Sequence, residues 1–219
     1  MSRKSNTKVL THYPNKISSF ICEDEKSMCY YLKGLKPYLK SNIKIDINHS
    51  DNGNTAKKVY ESAKNKLKLM EQHKNAYPKG FEVIACFDKD DNKISDICNI
   101  MENKKYPISK IYNNPCYEYW LYLHTTNKAP TFYDSDDCAK KCLKQINSKY
   151  NKQIPNIKEL KNCFDIFEIL KNDFPKAVKN ANALHFLDYD ATYTNAQIIL
   201  DEIVDKYKLA NCVQNNHKS

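Results

Sequence analysis

With 219 residues, 41% of them hydrophobic and 11% aromatic, the chain carries enough apolar bulk for one sizeable folded domain, which excludes a disordered polypeptide. No run approaches the roughly 20 apolar residues of a membrane-spanning helix. The opening MSRKSNTKVL has no apolar signal core, so a cytoplasmic protein with no membrane partner is expected. The net charge of +9 favours an anionic partner such as nucleic acid, yet Arg3 is the sole arginine, so phosphate contacts are expected from lysine, backbone N–H groups and metal.

The predicted elements alternate along the first half of the chain. Residues 1–15 read as a flexible basic lead. Ile17 to Cys22 (ISSFIC) is a short apolar run with the length of a buried strand, and it ends in Glu23-Asp24-Glu25-Lys26. Lys26 to Leu39 has apolar residues at helical spacing. Ile43, Ile45 and Ile47 alternate with polar residues, as a half-buried strand requires. Asp51-Asn52-Gly53-Asn54 is a turn, and Thr55 to His73 a long charged helix that Pro78-Lys79-Gly80 breaks. Phe81 to Phe87 is a second apolar run ending in carboxylates. A helix over Asp91 to Glu102 and a strand over Pro107 to Tyr112 follow. Strand–helix alternation of this kind argues for a parallel sheet with helical crossovers.

From Pro115 onward helices dominate: Pro115 to Leu123, Ser135 to Lys149, Asn156 to Leu170, Phe174 to Leu184 and Thr194 to Tyr207. The expected division is an α/β core over 16–113, with a mostly parallel four-stranded sheet, and a helical extension over 114–208 packed on it. Residues 209–219 read as a frayed tail. The nine cysteines are odd in number and form no CxxC pair, which points to reduced thiols. Cys138 and Cys142, one helical turn apart, read as ordinary helix positions.

Two segments carry chemistry. FEVIACFDKDD (Phe81 to Asp91) packs Asp88, Asp90 and Asp91 at the end of an apolar strand. Gathered carboxylates repel one another unless a cation or a proton offsets them. On an extended chain the Asp-x-Asp spacing points Asp88 and Asp90 to one side, and a hard divalent ion such as Mg²⁺ (Mn²⁺ as substitute) suits those oxygens. A solvated, helix-capping acidic loop fits the same residues. If the strands ending at Cys22 and Phe87 are neighbours, Glu23, Asp88 and Asp90 converge beyond their carboxyl ends, where open α/β sheets bind ligands. In NPCYEYWLYLH (Asn114 to His124), Asn114 suits a helix cap, Pro115 a first turn and Glu118 the positive end of the helix dipole, although an aromatic core helix reads the same way.

Together FICEDEK, FDKDD, NPCYEYWLYLH, KAVKNA (Lys176 to Ala181) and the late Thr194-Asn195-Ala196 segment resemble RloB-type bacterial proteins encoded beside restriction–modification loci. The resemblance spans residues 17–207. It implies a fold similar to TOPRIM, in which a Glu after the first strand and an Asp-x-Asp after the third bind Mg²⁺ and act on phosphodiesters. It further implies a role in phage defence and a partner ATPase of the ABC/AAA type. Glu23, Asp88, Asp90, Asn114, Glu118, Trp120 and His124 match the family pattern. Asp24 stands where the family has Gly, and Met28 where it has Glu, with Glu25 as the nearest substitute.

The expectation is therefore a Mg²⁺-dependent nuclease. Glu23, Asp88 and Asp90 are its metal ligands, with Glu23 a general base in the alternative, Glu118 a further ligand or orienting group and His124 a proton donor to the leaving oxygen. Lys26, Lys89 and Lys179 are the candidate phosphate contacts. RNA, tRNA among it, is slightly favoured over DNA, and a homo-oligomer is compatible with the sequence. A non-catalytic module that regulates the partner ATPase is the rival reading. A nucleotide phosphohydrolase is a third, while three glycines and no phosphate-cradling loop exclude a self-contained ATPase.

Overall fold

The computed structural model describes residues 15–51, 53–126 and 130–215, with side chains only as far as residue 210. The expected flexible lead lies almost wholly outside these residues. The chain forms one sheet of five strands in the order β2-β1-β3-β4-β5. β1 (Lys16–Cys22), β2 (Ile43–His49), β3 (Phe81–Asp88) and β4 (Ile108–Asn114) are mutually parallel. The fifth strand, β5 (Tyr193–Thr194), pairs antiparallel with the end of β4, matching Asn113 with Thr194 and Asn114 with Tyr193. The four-strand expectation is thus corrected to five.

Side-chain alternation along the central strands divides the core in two. Ile17 and Ile21 of β1 and Val83, Ala85 and Phe87 of β3 face α2 (Ala56–Gln72) and α3 (Ile94–Glu102), forming a smaller cluster with Val59, Leu67, Met70, Ile97 and Ile100. Phe20, Ile84, Cys86 and Ile111 face the other way, into the larger cluster. That cluster draws on α1 (Ser27–Leu35), α4 (Glu118–Thr125), α5 (Ser135–Tyr150), α7 (Ile166–Leu170), α8 (Phe174–Asn182) and α9 (Ala196–Ile203). The two expected units therefore share a single hydrophobic cluster. At Gly34 a Cβ would stand 2.7 Å from the Cβ of Phe167, so only glycine lets α1 approach α7 this closely.

The second half departs from the sequence expectation in several places. The stretch Asn156 to Leu170 is two short helices, α6 (Ile157–Lys161) and α7, because Asn162 and Asp165 end one and precede the other. Thr194 is strand rather than helix. Beyond β5, Asn195 extends the edge with its side chain, accepting the Tyr112 N–H at 2.8 Å and donating to the Lys110 carbonyl at 2.9 Å. α9 stops at Ile203, where Val204 bridges to Leu39 and the Asp205 N–H bonds the Tyr38 carbonyl at 2.7 Å. α10 (Lys206–Asn215) then continues into the stretch read as a frayed tail, and Leu209 is buried in the larger cluster.

The topology creates a crevice. β1 leads through α1 to β2 on one side, whereas β2 leads through α2, on the opposite face, to β3 on the other side of β1. Loops leaving the carboxyl ends of β1 and β3 therefore diverge, and the gap between them is where such sheets bind ligands.

Candidate metal centre

Glu23 follows β1 directly, and Asp88 is the last residue of β3. Because β1 and β3 pair from Ile17–Phe81 to Ile21–Ala85, both carboxylates arrive at the same edge of the sheet. Asp90 joins them by a route the extended-chain argument did not foresee. It has a positive φ of 31°, so the chain turns rather than running on as a strand. The turn is held where the Lys89 N–H bonds the Asn113 carbonyl at 2.8 Å and the Asp90 N–H bonds the Pro115 carbonyl at 3.0 Å. One oxygen from each of Glu23, Asp88 and Asp90 lies within 4.8 Å of the others. This is a donor set of hard oxygens, which fits Mg²⁺ or Mn²⁺ rather than a thiophilic ion.

Fixed donors orient each carboxylate. Asp88 Oδ1 accepts from Asn113 Nδ2 at 2.9 Å, and its Oδ2 accepts from the Tyr117 N–H at 2.9 Å. Asn113 is itself locked, because the Thr194 hydroxyl donates to its Oδ1 at 2.7 Å. Glu23 Oε1 accepts the Asp88 N–H at 3.1 Å. Asp90 Oδ1 takes the Ser135 hydroxyl at the start of α5. Burial pushes Asp88 well above the usual carboxylate range, and repulsion from Glu23, Asp90 and Glu118 adds to it. Burial likewise raises Glu23 to about 8, with Asp90 and Asp24 opposing its charge and the Asp88 N–H bond acting the other way. The ionised acids repel one another more than their hydrogen bonds stabilise them, so protons offset the repulsion until a divalent cation takes their place.

The cleft around these groups has a volume of about 160 Å³, and Glu118 and Lys161 line it beside the three acids. Glu118 is 2% exposed, at the first position of α4. The helix starts three residues later than expected: Asn114 is not its cap but the end of β4, with its amide donating to the Tyr189 carbonyl at 3.2 Å. Lys161 Nζ stands 4.0 Å from Glu118 Oε1, and Glu118 first, then the neighbouring acids, hold its ammonium above the ordinary range.

A family model described as RloB-like protein matches residues 19–205. The chain belongs to the RloB-like family. Searches of curated proteins and of solved structures return no significant match. No helix among the described residues is long and apolar enough to cross a membrane.

The remaining sequence-derived positions separate sharply in this RloB-like chain. His124 is fully buried and does not line the cleft. Its Nε2 meets the Tyr31 hydroxyl and its Nδ1 the Trp120 carbonyl, both at 3.0 Å, and burial lowers it to about 4. It is a satisfied core histidine outside the lining of the cleft. Trp120 is buried in the same aromatic cluster, 5.0 Å from the His124 ring. Lys26 caps α1 as an exposed residue, donating its N–H to Asp24 Oδ1 at 2.8 Å. Lys179 is exposed on α8, whose Lys176 and Asn180 bond the carbonyls of Thr125 and Leu123 at the far end of α4 from Glu118. The KAVKNA segment thus caps a helix. Lys89 stays close, in the wall of the next groove. Met28 lines the cleft, so the carboxylate that the resemblance expects there is missing from the cleft itself. Glu25 does not replace it, since it is exposed and pairs with His49 at 3.5 Å.

Lys161, Asn113 and Ser135 are the site residues that sequence reasoning missed. Lys161 had no signal at all, being one lysine of many on a short helix. Asn113 was visible only as the neighbour of Asn114.

Proposed function

We propose that this RloB-like protein is a divalent-metal-dependent nuclease with a TOPRIM-like core, serving bacterial anti-phage defence together with an ATPase encoded nearby. The observation that carries the proposal is the approach of Glu23, Asp88 and Asp90 ligand oxygens to within 4.8 Å at the sheet's switch point. Glu23, Asp88 and Asp90 would hold Mg²⁺ or Mn²⁺. The ion would polarise a phosphoryl oxygen and acidify a bound water.

The chain's own groups supply the rest. Asn113, Tyr117 N–H and Ser135 fix the directions of Asp88 and Asp90. Glu23 Oε2 has no hydrogen-bond partner among the described residues, so Glu23 is placed either to complete the ligand set or, in the alternative, to take a proton from the attacking water. Lys161, on the cleft wall beside Glu118, is the cation placed to meet the phosphate in its charged form. It replaces Lys26 and Lys179 in that role, with Lys89 as the second phosphate contact. RNA is favoured over DNA as substrate.

Purified protein incubated with Mg²⁺ or Mn²⁺ and with tRNA, single-stranded RNA or DNA tests the reading. Cleavage is expected with the metal, and Asp88→Asn is expected to abolish it; cleavage that survives both Asp88→Asn and Glu23→Gln would sink it. Met28 on the cleft wall favours one rival, a module that keeps the fold but regulates the ATPase without catalysis. Calorimetry showing no divalent binding, alongside intact ATPase association, would decide for that rival.

A further inference from the structure

Beside the acidic cleft lies a larger groove of about 660 Å³, and the two share Asp90 and Lys161 as a common wall. Its floor and rim come from the turn after β3, the start of α5 and the segment before β5, where they contribute Lys89, Tyr133, Asp136 and Asp190. Two features set it apart from the rest of this basic chain. The first is charge: five aspartates (Asp90, Asp91, Asp134, Asp136 and Asp190) line it against two lysines, in a protein of net charge +9. A wall of that sign repels a phosphate backbone. The second is Tyr133, which is 92% exposed, the most exposed large aromatic or aliphatic side chain among the described residues.

The backbone that carries Tyr133 is tethered. Its N–H is tied to Asp137 Oδ2 at 3.2 Å, and the preceding Phe132 packs edge-on against Tyr119 and Tyr122 at centroid separations of 5.5 and 5.7 Å. Lys141 Nζ stands 5.7 Å from the Tyr133 ring centroid, so a largely exposed ring on a tethered backbone, with a cation near it, offers a stacking platform. Asp134 is occupied as the cap of α5, accepting the Asp137 N–H at 2.7 Å. The side chains of Asp136 and Asp190 have no such partner among the described residues, and both are exposed. They offer acceptors that would meet N–H donors on the edge of a flat ring.

We infer that this groove is a nucleobase subsite: an unpaired base bearing an exocyclic amine stacks on Tyr133 and donates to Asp136 or Asp190, while the adjoining phosphate lies at Lys161 and the metal cluster. The inference rests on the nuclease reading and narrows it to single-stranded or locally unpaired nucleic acid, because a base stacked in a duplex has no free face to present. The acidic wall makes the subsite selective for the neutral base and keeps the backbone at the Lys161 junction.

Binding is measured with a fluorescent single-stranded oligonucleotide carrying 2-aminopurine, and with the same sequence as a duplex, in Ca²⁺ so that affinity is read apart from turnover. The single strand should bind at least about tenfold tighter than the duplex, with 2-aminopurine quenched on binding. Tyr133→Ala should lose roughly tenfold in affinity and most of the quenching, whereas Tyr133→Phe keeps both. Asp136→Asn with Asp190→Asn should reduce the preference for 2-aminopurine over an amine-free purine. Divalent binding, read by calorimetry, should be unchanged in all of these variants. A wild-type protein that cleaves or binds nucleic acid while Tyr133→Ala matches it, or while the duplex binds equally well, overturns the subsite and leaves the nuclease standing. A wild-type protein that neither binds nor cleaves overturns both.

Discussion

The two ends of the central strands treat their carboxylates in opposite ways. At the amino end of the sheet, Glu82 on β3 meets Lys16 at 2.8 Å and accepts the Ser18 hydroxyl. Along β2, Asp46 meets Lys66 at 2.7 Å and takes Ser19 and Asn48 as donors. Each of these acids has its own lysine. At the carboxyl end, Glu23, Asp88 and Asp90 crowd together with no lysine paired to their carboxylates among the described residues; Lys89 reaches only the Asp90 carbonyl, at 3.5 Å, and Lys161 pairs with Glu118 at a loose 4.0 Å. A chain so rich in lysine could neutralise this corner as it does the others. It orients the three acids with amide and hydroxyl donors instead, so protons on Glu23 and Asp88, rather than a lysine, offset their repulsion until a cation displaces them. Function shows here as charge the fold organises but does not cancel.

The largest effect should come from removing a member of the uncancelled group. Asp88→Asn should lower cleavage by at least about a hundredfold and abolish the thermal shift on adding Mn²⁺, because one substitution removes a ligand and misdirects the Tyr117 N–H. Circular dichroism would confirm that the fold survives. Asp90→Asn should also lose metal binding yet raise the metal-free melting temperature by about 2 °C, since it relieves repulsion on two neighbours. A fall instead would mean that the Ser135 contact outweighs the repulsion.

The pH dependence gives a second separation. Glu23 titrates near 8 when folded against 4.5 ordinarily, so its unfolded form releases the proton first. Metal-free stability from this group is lost as pH rises from 4.5 towards 8. A cation displaces that proton, so metal affinity should climb up to about pH 8, with protons released near pH 7. Calorimetry in buffers of differing ionisation enthalpy reads the release. His124 has the reverse sign. Its folded value near 4 lies below the ordinary 6.5, so stability from it is present above 6.5 and lost as pH falls towards 4. The loss is at most about 3 kcal/mol. His124→Gln should flatten that acid limb in urea titrations while leaving cleavage within about twofold.

The smallest effect is expected at a cancelled pair. Asp46→Ala should cost under about 1 kcal/mol, because the Asp46–Lys66 pair is partly exposed and screened. It should leave metal affinity unchanged. A large loss of metal binding there would erase the contrast between the two ends.

The sheet's first four strands and the convergence of Glu23 with Asp88 were legible because both follow from local pattern: short apolar runs, strand–helix alternation and acids at strand ends. β5 was not legible. Its two residues carry no periodicity, and they become a strand only by pairing with Asn113 and Asn114. The helix expected over Thr194 to Tyr207 is present as Ala196–Ile203 and loses its first residues to that pairing, whereas the single helix expected over Asn156 to Leu170 is broken locally at Asn162 and Asp165. His124 shows the limit for sites. Its place in the motif matched a catalytic expectation, but only packing against Tyr31 and Trp120 reveals that both nitrogens are used internally.

The amino-acid sequence by itself determined which residues are strand-forming and which acids terminate those strands, because side-chain period and local composition act within a few residues. Tertiary structure alone decided which charges remain uncancelled. Whether a carboxylate meets Lys161, Lys16 or no cation depends on distances between segments far apart in the chain, and electrostatic energy is set by those distances and by burial rather than by spacing along the backbone.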